Sequence, residues 1–181
     1  MSNLLSAIIT SKTRNHLFLR LFLNTETRAY LRELALELGS STNAIREELN
    51  KLVDAKLLIN ESNGKKILYG ANDRHPLFPE VQSMVRKVLG IDHLLENVIH
   101  SLGNVELAFL LDDYACGKDT GIIDLVLVGE INQKRLNELV ANTERYIKRK
   151  IRTFCLTTPD YEKLADNFKN RPNLLLWKGE T

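Results

Sequence analysis

The sequence predicts an α+β chain built from two domains. Three observations carry that prediction. As far as Gly90, apolar residues recur at helical spacing and then give way to a hairpin signal. Beyond Gly90, short apolar runs alternate with helical stretches, the pattern of a sheet with helices laid on it. The chain has 181 residues, 44% hydrophobic and 27% charged, enough for one large or two small globular domains.

The elements follow in order. "SKTRNHLFLRLFLN", Ser11 to Asn24, sets Leu17 with Leu21 and Phe18 with Phe22 on a wide apolar helical face. "YLRELALELG" places Leu31, Leu34, Ala35 and Leu38 at i, i+3, i+4 and i+7. Gly39, tolerant of positive φ, is placed to end that helix. "SSTNAIREELNKLVDAKLL" opens with hydroxyls suited to an N-cap and aligns Ile45, Leu49, Leu52 and Val53 on one stripe. Its opposite face shows Asn43, Arg46, Glu47 and Asn50. Two amphipathic helices around a short turn fit a helix-turn-helix. Leu57 to Ile59 and Ile67 to Tyr69 are β-prone runs, and Asn63-Gly64 between them is a hairpin signal. Three helices followed by a hairpin is the order of a winged helix.

The two prolines of "NDRHPLFPEVQSMVRKVLG" interrupt the chain and seed a connector helix. "IDHLLENVIHSLG" continues in helical period through Leu94, Leu95, Val98, Ile99 and Leu102. The domains are expected to be 1–89 and 90–181, joined by helices and not by a flexible linker. In the second, "VELAFLL", "IIDLVLVG", "IRTFCLT" and "NLLLWKG" read as strands of a small mixed sheet. "NQKRLNELVANTERYIKRK" and "PDYEKLADNF" read as helices.

Charge is uneven. Net charge is +2, but Met1 to Gly90 holds 13 Lys and Arg against 9 Asp and Glu, and the remainder is net acidic. The polyanion-binding half is therefore expected at the N-terminus. Apolar runs fall short of the roughly 18 residues that span a bilayer, and no charged-then-apolar leader opens the chain. We expect a cytoplasmic protein with no membrane partner. Cys116 and Cys155 fit no zinc spacing and are expected to stay reduced. His16, His75, His93 and His100 show no ligand spacing, so neither metal nor cofactor is expected.

Thr13 to Asn72 resembles the winged-helix regulators of the ArsR and MarR type. The likeness lies in the "LA" pair, the Gly-Ser turn, the "IREELNKL" third helix and the hairpin tipped by Asn-Gly-Lys-Lys. A recognition helix docks by one face and reads base edges with the other. Ser41, Thr42, Asn43 and Arg46 lie at the helix start, with Asn50 further along the polar face. Arg46 suits guanine and Asn43 suits adenine. Ser40, Ser41 and Thr42 can meet phosphates or cap the helix. Arg28, Lys65 and Lys66 suit backbone phosphates. Against this, Ser, Thr and Asn at a helix start are often caps alone. Glu47 and Glu48 would also repel DNA if both faced the groove.

"FLLDDYACGKDTGIIDLVLVGEI" carries a second resemblance, to the minimal nucleotidyltransferases of the DNA polymerase β superfamily. It runs from about Val105 to the C-terminus. The family pattern implies Gly-Ser at the phosphate turn, an arginine in "YARG", and two aspartates one residue apart holding Mg²⁺. Here Asp112 and Asp113 stand at the turn, Cys116 replaces the arginine, and Ile122 replaces the first metal ligand, leaving Asp124. The third carboxylate expected on the following strand is missing from "IRTFCLT". The pattern implies a nucleotidyltransferase-like fold without catalysis, with Asp112, Asp113 and Asp124 as vestiges. Loop aspartates such as Asp119 are expected to be solvated turn formers. The basic run "RYIKRKIR", Arg145 to Arg152, is expected to complement a helix dipole.

The sequence therefore reads as a bacterial-type transcriptional regulator that binds double-stranded DNA as a homodimer. The second domain would serve for dimerisation, or for sensing a small-molecule or protein effector. The alternatives are a nucleotidyltransferase modifying a protein or small molecule, and an antitoxin-like interaction module without DNA binding. The dimer interface is expected on Leu17, Leu19, Phe22 and Leu23 and on the helices after Pro79.

Overall fold

The computed structural model describes residues 11–179. Residues 1–10, part of the expected first domain, and residues 180–181 lie outside the described residues. The chain is mixed α+β and divides into two compact units between Val88 and Leu89.

In the first unit, α1 (Lys12–Phe22) is capped by Ser11, whose hydroxyl accepts from the Arg14 amide. β1 (Ala29–Tyr30) leads directly into α2 (Leu31–Glu37). Gly39 has φ +56°, and the amides of Gly39 and Ser40 bond back to Leu36 and Ala35. That is a Schellman ending, so the helix stops where the glycine predicts. α3 (Thr42–Asp54) starts at its N-cap Ser41. β2 (Leu58–Asn63) and β3 (Lys66–Ala71) form the hairpin, and the sheet order is β1-β3-β2. β1 is missed from sequence because two residues carry no periodicity. The turn also differs from expectation. Asn63 pairs with Lys66, so the turn residues are Gly64, at φ +62°, and Lys65. Glycine in the first of two turn positions is the arrangement of a type II′ turn. The strands run on through exposed polar residues that show no alternation.

The part of the expected dimer face placed on α1 is corrected here. Leu17, Leu19, Phe22 and Leu23 are all buried, and Phe22 packs between Phe18 and Phe78. An apolar stripe announces that a face is covered, not by what.

α4 (Phe78–Leu89) follows Pro76 and carries Pro79 in its first turn. In the second unit, α5 comprises Ile91–Leu94, a π-helical turn at Leu95–Ile99, and His100–Leu102. Then come β4 (Val105–Leu111), α6 (Asp112–Ala115), β5 (Ile122–Gly129), α7 (Gln133–Ile147), β6 (Lys150–Leu156), α8 (Thr158–Lys169) and β7 (Asn173–Lys178). The sheet order is β6-β5-β4-β7, with β5 and β6 parallel and the other pairs antiparallel. One face buries Phe109, Leu111, Val126 and Val128 against Tyr161 and Phe168 of α8. Residues between them in the strands, such as Leu110, Leu125 and Leu127, are buried on the other face. Trp177 donates its indole N–H to the Val105 carbonyl and meets His100 edge-on. His93 lies against Tyr146, its ring 3.7 Å away, and bonds Asn97.

This topology decides where the acidic residues meet. β4 ends where β5 starts, because the two run antiparallel. β6 starts there too, being parallel to β5, and so does β7. One end of the sheet therefore collects Asp112, the loop before β5, the start of β6 and the start of β7.

Candidate nucleic-acid interface and the acidic sheet end

The candidate recognition helix, α3, buries Ile45, Leu49 and Leu52 and exposes Thr42, Asn43, Arg46, Glu47 and Asn50. Ser41 is the cap, its hydroxyl accepting from the Ala44 amide at 3.2 Å. The Ser40 hydroxyl donates to the Leu38 carbonyl at 3.3 Å. Arg46 donates to the Asn43 amide oxygen at 2.8 Å, one turn back on the same exposed face. Arg28 donates to the carbonyls of Thr25 and Thr27 at 2.7 and 3.0 Å, its side chain lying against Gly70. A Cβ added to Gly70 would fall 2.6 Å from that side chain, so glycine makes the space for it. Lys65 is exposed at the turn, and the Lys66 ammonium sits 5.5 Å from the Tyr30 ring centroid.

These cations share a property. The partners of Arg28, Arg46 and Lys66 are carbonyls, an amide and a ring, all neutral, so each keeps a full positive charge. Two other arginines of this unit meet carboxylates instead. Arg14 pairs with Glu48 at 2.8 Å, and Arg20 with Glu33 and Glu37 at 3.1 and 2.9 Å. Glu48 is thus turned toward α1 and bound by Arg14 and Lys51. Of the two acids that threaten the polar face, only Glu47 remains exposed on it.

The second unit gathers three aspartates, each gripped by an arginine. Arg152 donates Nε and Nη2 to the two oxygens of Asp124 at 2.6 and 2.7 Å. The residues are register partners on β5 and β6. Arg149 grips Asp119 in the same way at 3.0 and 2.6 Å. Arg171 grips Asp112, its Nε 3.0 Å from Oδ1 and its Nη2 on Oδ2. Two parallel N–H···O bonds are the strongest form of such a pair. Asp112 also acts on Arg152, and Asp124 on Arg171, so these two pairs form one network of alternating charge. The hydrogen bond to Asp124 holds the Arg152 pKa above its ordinary value. Burial is the largest single influence on Arg149 and works against its charge, but the hydrogen bonds and charges of Asp119 and Tyr114 together outweigh it and raise its pKa. Burial, reinforced by Asp119, pushes the Tyr114 pKa far above the ordinary value. The neutral phenol donates to the Leu89 carbonyl at 2.8 Å.

Two expectations are corrected here. Asp119 is not merely a solvated turn former, because it anchors Arg149, whose side chain is 6% exposed. The basic run is likewise not chiefly a dipole complement. Arg149, Lys150 and Arg152 are bound by Asp119, Glu144 and Asp124. Sequence reading missed Arg171 altogether. It stands 59 positions from Asp112, and only the β4·β7 pairing brings them together.

A Mg²⁺ of the kind the nucleotidyltransferase resemblance implies does not fit these residues. Both oxygens of Asp124 face a guanidinium, and Ile122 occupies the neighbouring ligand position. Arg152 stands at the register position beside Asp124 on the next strand, where a carboxylate is expected. Among the described residues, no group of three or more His, Cys, Asp or Glu gathers to hold a metal. Asp112, at the position where the resemblance implies a glycine, has φ +55°, a backbone better suited to glycine.

Comparison with known proteins follows from this geometry. No family model matches the sequence, and no curated protein matches it. Several solved structures match about half of the chain each. Lactococcus lactis ZitR, solved in complex with DNA, is 21% identical over 46% of this chain and 57% of its own, with a TM-score of 0.34. The adhesin competence repressor AdcR of Streptococcus pyogenes is 20% identical over 51% of this chain and 72% of its own, with a TM-score of 0.36. A Sulfolobus solfataricus protein described as a candidate nucleotidyltransferase is 25% identical over 54% of this chain and 86% of its own, with a TM-score of 0.35. No described helix is long and apolar enough to cross a membrane.

Proposed function

We propose that this protein is a DNA-binding regulator. Its first unit contacts duplex DNA through α3 and the hairpin, and its second unit is catalytically silent. The supporting observation is the choice of partners around the cations of the first unit. Arg28, Arg46 and Lys66 are held by neutral groups, whereas Arg14 and Arg20 are neutralised by glutamates. A phosphate-binding surface needs cations that are positioned but still charged. Arg46 and Asn43 read bases, Asn50 extends that face, and Lys65, Lys66 and Arg28 hold the backbone. Ser41 serves as cap.

Fluorescence anisotropy on duplexes from upstream of the protein's own gene tests this reading. Binding should weaken steeply with salt, and Arg46→Ala should weaken it at a preferred sequence about tenfold or more. Binding indifferent to salt and to Arg46→Ala would sink it. For the second unit, incubation with labelled nucleoside triphosphates and Mg²⁺ or Mn²⁺ should give no transfer. Metal-dependent labelling abolished by Asp124→Ala would overturn catalytic silence.

A further inference from the structure

The hairpin tip and the helix-turn-helix meet at one residue, Tyr30. It is the last residue of β1 and the first before α2. Its backbone amide is bonded by the Glu33 carboxylate, 3.3 Å away, which fixes Tyr30 to the first turn of α2. In the sheet it pairs with Leu68, at the edge beside β3. From there its side chain reaches across β3 toward β2. The phenol oxygen accepts from the Asn63 side-chain amide at 2.9 Å, and the ring lies under the Lys66 ammonium. Asn63 and Lys66 are the paired residues that close the turn.

We infer that Tyr30 is a positioning residue for DNA binding. It aims the hairpin's cation at a backbone phosphate in register with α3. This rests on the DNA-binding reading above.

The physical case turns on what the ring does to Lys66. An aromatic face attracts an ammonium without accepting a conventional hydrogen bond from it, so the donors stay available for a phosphate. A carboxylate in the same place would localise the lysine and cancel its charge. A long lysine side chain otherwise samples many rotamers, and ordering it on binding weakens affinity. Tyr30 supplies that order in advance. Its hydroxyl adds a second hold through Asn63, at the base of the turn that presents Lys65. Tyr30 is also the N-cap of α2, so the hairpin's orientation is tied to the helix that precedes α3 and its Arg46.

The test uses the full chain and a short mixed-sequence DNA duplex, with affinity measured by anisotropy across a salt series. Lys66→Ala should lower the slope of log affinity against log salt by about one, the signature of one lost phosphate contact. Tyr30→Leu should weaken binding several-fold and lower the slope in the same direction. Tyr30→Phe, which keeps the ring, should retain the slope and lose only part of the affinity. In a Lys66→Ala background, Tyr30→Leu should cost less than it does in the wild type, because the ring acts through the Lys66 contact and only the Asn63 hold is left to lose. Circular dichroism melts of each variant confirm that the fold is present, and the conservative Tyr30→Phe carries the test if Tyr30→Leu does not fold. A Tyr30→Leu effect fully additive with Lys66→Ala, or a Tyr30→Phe slope as low as that of Lys66→Ala, overturns the inference alone. Wild-type protein that does not bind the duplex overturns the DNA reading as well.

Discussion

Two surfaces of this molecule, one in each unit, treat arginine in opposite ways. On the polar side of the first unit, Arg28 and Arg46 lean on carbonyls and an amide and remain net charges. At the acidic end of the second unit's sheet, Arg149, Arg152 and Arg171 each close on an aspartate with two bonds. The first arrangement leaves a field that an external polyanion can answer. The second answers its own charge internally. Counting basic residues would rank "RYIKRKIR" above the hairpin as an anion site, and the partners reverse that ranking.

Substitutions can break this contrast, and the largest effect is expected within the second unit. Arg149→Met strips a nearly buried cation from Asp119 and leaves the acid without its partner. It should destabilise the second unit by about 3 kcal/mol, read as an earlier transition in urea. DNA affinity at temperatures below that transition should be unchanged. If Arg149→Met left the melt unmoved and weakened DNA binding, the division between structural and DNA-facing arginines would be wrong.

Arg46→Ala is the mirror experiment. It should weaken DNA binding by about 1–3 kcal/mol and relax base preference, with stability held within about 0.5 kcal/mol because the side chain is exposed. The check is anisotropy alongside a thermal melt.

Alkaline titration probes Tyr114, which is buried beside the Asp119–Arg149 pair. Its folded pKa is raised above the unfolded value, so the folded state holds its proton longer. That stabilisation is complete below pH of about 10 and is lost progressively as pH rises beyond it. Stability of the second unit should therefore fall at alkaline pH. Tyr114→Phe should flatten that fall, though it also removes the bond to Leu89. A wild-type alkaline limb that persists in Tyr114→Phe would assign the effect to other groups.

Asp124→Asn should have a smaller effect. Arg152 is mostly exposed and remains hydrated when its partner loses charge, so the loss should be about 1 kcal/mol. Neither DNA binding nor nucleotide labelling should change. The smallest effect is expected from Glu48→Gln, which frees Arg14 from an ion pair that is partly exposed. Stability should shift by less than about 1 kcal/mol, with a slight gain in DNA affinity from the removed negative charge.

Much of the fold was legible because its signals are local. Gly39 ends α2 and Ser41 caps α3, each through a contact within a few residues. The apolar runs of β4 and β5 were legible because both faces of the sheet are covered. The two-residue β1 carries too little pattern to read. The hairpin turn was misplaced by one residue because strand pairing through Asn60 to Asn63 rests on backbone bonds, which leave no mark in hydropathy. In the candidate interface, Arg46 and Lys66 were visible as residue types on a face, while Tyr30 was not, because its role depends on reaching two strands over.

By itself, the sequence determined the α+β class, the order of helices and hairpin, and the presence of acids where the resembled enzymes place phosphate-binding and metal-binding groups. Propensity, capping and periodicity act over a few residues, and the chain writes them out directly. Tertiary structure decided which charges meet. Asp112 and Arg171, Asp119 and Arg149, and Asp124 and Arg152 lie 59, 30 and 28 positions apart. Only the mixed sheet, which brings the end of β4 and the starts of β5, β6 and β7 to one edge, places them within bonding distance. A charge declares its sign in the sequence, but whether it is available to a ligand depends on the neighbour the fold assigns to it.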